Sequence, residues 1–121
     1  HRSPDQRLMI AEINTAYKPS LIVLDGVQAL IDGGPHAGTI ADTELILVGT
    51  DPVAVDALGV AALRLAGTTP EVSRGRIFEQ EQIARAVELG LGVDSPPKIE
   101  LLTADEESTV YAEQLRSILN T

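Results

Sequence analysis

The segment Leu45-Ile46-Leu47-Val48-Gly49-Thr50-Asp51-Pro52-Val53-Ala54-Val55-Asp56 constrains the fold more than any other. Its first four residues form a continuous apolar run with β-branched members, which reads as a strand buried on both faces. Thr50 or Asp51 can then cap a helix with Pro52 in its first turn. That helix runs to about Ala66, and Gly67 ends it. Between Val53 and Ala66 only Asp56 and Arg64 carry charge. A helix apolar on nearly every side has to be covered on several sides.

A second apolar run, Leu21-Ile22-Val23-Leu24, lies between Pro19 and Gly26 and has Asp25 at its C-terminal end. The rest is read around these two strands. Ser3-Pro4-Asp5-Gln6 has helix-start chemistry, and Met9, Ile10, Ile13 and Tyr17 follow at helical spacing. Residues 26–43 read as a long glycine-bearing loop. Further helices are expected at about 78–89 and 106–119, with a third strand at 98–103 after Pro96-Pro97. The expected order is α-β-loop-β-α-α-β-α. The fold class is α/β: a layered fold with a small, mainly parallel sheet flanked by helices, forming one domain over 1–121. Three strands cover little, so the chain is expected to associate with more polypeptide, as a homodimer or as part of a larger protein.

Composition narrows the partners. There are 18 acidic and 9 basic residues, and the formal charge is −9. Phosphate backbones and anionic membranes repel such a chain, and Tyr17, Phe78 and Tyr111 are too few to form a base-stacking platform. Neither nucleic acid nor membrane is an expected partner. There is no cysteine, so no disulfide, no thiol nucleophile and no iron–sulfur cluster held by thiolates. A cytoplasmic location fits that usage. No cofactor is expected beyond a divalent cation held by carboxylates.

Four groups of residues could carry chemistry. Asp25, Gly26, Gly33, Gly34, Pro35, His36 and Gly38 would sit beyond the end of a parallel strand, where such sheets bind ligands. Equally, they could form a glycine-shaped turn with Asp25 bonded to backbone amides and His36 solvated. Asp51 could share a cation or a proton with Asp25, or could serve only as a helix cap. Asp56, alone on an apolar helix, needs a partner, with an arginine or a backbone amide favoured over a ligand. Arg64, Arg74, Arg76 and Arg85, four of the nine basic residues, could grip an anion or pair with Asp56, Glu79 or Glu81. No serine sits in a nucleophile elbow.

Taken in order, Ile10-Ala11-Glu12-Ile13-Asn14, Leu21-Ile22-Val23-Leu24-Asp25-Gly26-Val27, Gly33-Gly34-Pro35 and Gly49-Thr50-Asp51-Pro52-Val53-Ala54-Val55-Asp56 resemble the family called domain of unknown function 362. The resemblance runs most firmly from Ile10 to Gly67. It implies that the chain is the C-terminal part of a longer protein whose remainder is a partner. It also implies that Asn14, Asp25, Gly26, Gly33, Gly34, Pro35, Asp51 and Asp56 are the positions of interest. It implies no particular reaction. The leading reading is a small-ligand or divalent-cation crevice built from Asp25, the 33–38 loop and Asp51, part of an enzyme of unknown reaction; the alternative is an assembly domain with no site of its own.

Overall fold

The computed structural model describes residues 4–34 and 37–121. The chain is α/β overall, but its sheet is a single antiparallel pair. Helix α1 spans Gln6–Ile13 and passes into a 3-10 turn at Asn14–Ala16. Strands β1 (Ile22–Asp32) and β2 (Thr39–Gly49) form a hairpin. Helix α2 follows at Pro52–Ala66, then the short α3 at Pro70–Ser73, α4 at Glu81–Glu88 and α5 at Glu106–Leu119.

The mainly parallel sheet expected from the sequence is therefore corrected. Both apolar runs are strands, yet they are halves of one hairpin, paired from Ile22 opposite Gly49 to Asp32 opposite Thr39. Much of the expected loop at 26–43 is strand. The glycines explain why. Gly33 and Gly38 both have positive φ, and a Cβ at Gly38 would overlap the Asp32 carbonyl oxygen. The close approach of Gly38 to Asp32 lets β2 run back antiparallel to β1 instead of leaving through a crossover. Two register shifts, between Gly26 and Gln28 and between Leu30 and Asp32, absorb the extra residues. At the first, Thr43 Oγ1 donates to the Gly26 carbonyl, next to Glu44 with its φ of 46°.

The expected third strand is also corrected. Pro96–Lys98 is a 3-10 turn, and residues 99–103 pair with neither strand. The ring of Pro97 removes one donor at the point where pairing would begin. The N-terminal apolar stripe stays uncovered. Met9, Ile10, Ile13 and Tyr17 are exposed, and α1 buries Ala11 instead. A small residue there lets α1 approach α4, and the Arg85 guanidinium bridges Glu12 at 3.0 Å and Glu88 at 2.9 Å.

The reading of α2 holds. Asp51 caps it, Pro52 lies in its first turn, and Gly67 ends it in the left-handed conformation. It buries Val53, Val55, Ala57, Leu58, Ala61 and Ala62, more than any other element. The hairpin's inner face covers it through Leu45 and Leu47, while Ile77, Ile83, Ile99, Leu115 and Leu119 close the other sides.

Among the described residues Arg64 forms no ion pair with a carboxylate. Its guanidinium donates to the carbonyls of Val72 (2.8 Å), Gly75 (2.8 Å) and Arg74 (3.1 Å), tying loop 68–76 to the end of α2. Each bond satisfies a carbonyl that no helix or sheet serves. Lysine has one donor point where arginine has a fork. Arg64→Lys is expected to cost about 1–3 kcal/mol in denaturant unfolding, the scale of charge-assisted bonds lost, and to speed amide exchange across 72–76.

Candidate functional site

At the β2–α2 corner one carboxylate binds two segments of backbone. Asp51 Oδ1 accepts from the Ala54 amide at 2.9 Å, which makes it the helix cap. Its Oδ2 accepts from the Val93 amide at 2.9 Å. One carboxylate thus answers an orphan donor of α2 and pins the loop after α4 to the sheet end. Gly92 is required for this approach, because a Cβ there would overlap the Asp51 carboxylate. The Val93 contact has no local sequence signature; the glycine pair Gly90 and Gly92 is the only trace of it.

Asp25 sits elsewhere. It lies in mid-strand opposite Ile46, exposed on the outer face, and accepts from the Val27 amide at 3.1 Å. Each aspartate is bonded to backbone amides, and the clefts that Asp51 lines do not include Asp25. Gly26 is buried in β1, whereas Gly33, Gly34 and Gly38 form the reversal. Pro35 and His36 fall outside the described residues, as does the Ser3 cap. Among the described residues there is no group of three or more acidic or histidine side chains able to hold a metal ion.

Asn14 donates its side-chain amide to the Ile10 carbonyl at 2.7 Å and so closes the end of α1. With Tyr17, Lys18 and Thr50 it lines a cleft of about 910 Å3 between the 14–20 segment, the start of α2 and Gly90–Gly92. Arg74 gives its carbonyl to Arg64, and the Arg76 amide bonds to Glu79 at 3.3 Å.

Asp56 is met by Gln82, whose Nε2 donates at 3.2 Å, and not by an arginine or a backbone amide. Burial pushes its carboxyl above the usual range, and the Gln82 bond only partly offsets this. The folded state therefore holds the Asp56 proton more tightly than the unfolded chain does. Its contribution to stability is fully present below the unfolded value and is lost as pH rises through the raised folded value. Thermal unfolding should thus show Asp56→Asn more stable than wild type at neutral pH. The gap should shrink as pH falls toward the ordinary carboxylate value of 3.8.

The feature least visible in the sequence is the outer face of the hairpin. Leu21, Val23, Ile46 and Val48 lie together there, each 59–63% exposed. Val23 and Val48 are direct cross-strand neighbours. Among the described residues no further strand joins either edge of the two-stranded sheet. The alternation of Ile22 and Leu24 with Val23 and Asp25 was the available signal, but a run apolar at almost every position hides its own period.

Comparison with known proteins places this geometry beside one family description. The model of a family described as "Domain of unknown function (DUF362)" matches residues 1–61. No curated protein and no solved structure matches the chain.

Proposed function

This chain belongs to the DUF362 family, and from that premise we propose that it serves as an assembly module whose sheet is completed by further polypeptide. The observation that carries this reading is the outer hairpin face, with Leu21, Val23, Ile46 and Val48 all turned to solvent. Contiguous apolar patches of several hundred Å2 on a monomer usually mark contact surfaces. Covering them gains about 25 cal/mol per Å2. The charge of −9 opposes approach, but is screened beyond about 8–10 Å at ordinary salt. The aspartates that could have made a crevice are bonded to backbone amides, which also supports the assembly reading.

In isolation the cover is a second copy, in the symmetric dimer that closed assemblies favour. Sedimentation over a concentration series is expected to show reversible self-association. The double variant Val23→Lys/Val48→Glu places opposite charges on a cross-strand pair, which keeps the hairpin. It should weaken association at least about tenfold with an unchanged circular dichroism spectrum. A wild-type chain that stays monomeric at hundreds of micromolar would defeat this reading.

One observation favours a second reading, a small polar ligand in the 910 Å3 cleft. Ten of its 13 lining residues, Asn14–Ser20 and Thr50–Pro52, lie within the family-matched segment 1–61. A ligand present at a hundred times its Kd should raise stability by about 2.7 kcal/mol. In a thermal-shift screen of metabolites and divalent cations, that gain is expected to vanish in Lys18→Ala if this cleft is the site.

A further inference from the structure

The free edge of β2 does not simply face solvent. It forms one wall of a trough whose other wall is segment 98–105 and the start of α5. Two clefts, of about 700 and 510 Å3, share Ile46, Leu47, Val48, Leu101 and Leu102 and so run together along the strand. The floor is apolar: Leu45, Leu47, Leu101 and Tyr111 pack there against the core. Among the described residues, no backbone hydrogen bond joins β2 to the far wall. Every second residue of β2 therefore turns its N–H and C=O into the trough without a strand to receive them. Leu102, on the far wall, is 85% exposed although it faces a strand edge.

The charges decide what fits. Asp42, Glu44, Glu100, Asp105 and Glu107 line the trough, against one cation among the described residues, Lys98. Lys98 is itself held by Asp94 at 2.9 Å. A second copy is a poor occupant of this place. Its β2 carries the same acidic residues, and its own 98–105 wall stands where the partner would enter.

We propose that this trough binds an extended, lysine- or arginine-bearing strand of another polypeptide, added to the edge of β2. Backbone bonds to β2 supply the affinity, alternate apolar side chains rest on Leu45, Leu47 and Leu101, and the intervening basic side chains meet the carboxylates on both walls. A segment of six residues, about 20 Å when extended, matches a strand of this kind. The proposal rests on the assembly reading but uses the sheet edge, not the outer face.

The test uses the 121-residue chain and a capped peptide of about eight residues that alternates lysine with valine or isoleucine, long enough to cover the edge. Anisotropy titration is expected to show saturable binding, and amide exchange should slow along β2. Two changes should each weaken binding at least about tenfold. One is N-methylation of the peptide amides that face β2. The other is Glu100→Lys/Glu107→Lys, at two exposed positions. Absence of binding overturns the proposal. Equal binding by the N-methylated peptide also overturns it, since charge attraction alone would then suffice. Slowed exchange along the β2 edge through self-association, without peptide, overturns it in favour of a second copy. Self-association that Val23→Lys/Val48→Glu abolishes would still support the outer-face reading, so the two can fail separately.

Discussion

The near-total apolarity of α2 is the constraint on which the rest depends. A helix with Val53, Ala57, Leu58, Ala61 and Ala62 buried together needs cover from more than one direction. The hairpin covers one side, the turn at Ile77 with α4 another, and α5 a third through Leu115 and Leu119. Every element that touches α2 is placed by that demand. The hairpin meets it with one face only, which is why its other face is left apolar and uncovered.

Asp51 turns this packing into a defined geometry. Hydrophobic burial is non-directional and does not fix the angle at which β2 enters α2. A carboxylate accepting from the Ala54 and Val93 amides does. It locks the helix start, the sheet end and the loop after α4 at one point, and Gly92 leaves room for it. Arg64 performs the matching task at the other end of α2, gathering three carbonyls of loop 68–76. Beside it, Thr68 Oγ1 donates to the Ile31 carbonyl at 3.2 Å and ties the far end of the hairpin down. Both ends of the central helix are thus fastened by single polar side chains acting on backbone.

These roles bear on function. Two side chains that looked available for chemistry, Asp51 and Arg64, are occupied in holding backbone, and Asp25 is exposed in mid-strand. What the fold leaves unsatisfied is surface: an apolar sheet face, and a strand edge opening into an acidic trough. Unmet demand for cover and for backbone partners is the physical basis for reading the chain as a module that joins other polypeptide.

The α2 helix, its cap, its glycine end and the bounds of α5 were legible in the amino-acid order, because capping, helical period and apolar content are local properties. So were the two apolar strands and the need of Asp56 for a partner. The direction in which the strands pair was not, because an apolar run reads alike in a parallel sheet and in a hairpin. The antiparallel pairing depends on the close approach of Gly38 to Asp32 and Gly33. Nor could the order reveal that Gln82 meets Asp56, that the Val93 amide meets Asp51, or that Leu101 and Leu102 face β2 across a gap. Each of those pairs residues more than twenty positions apart. Such contacts are set by how α4 and the 98–105 segment pack around α2, and that packing is a property of the whole chain.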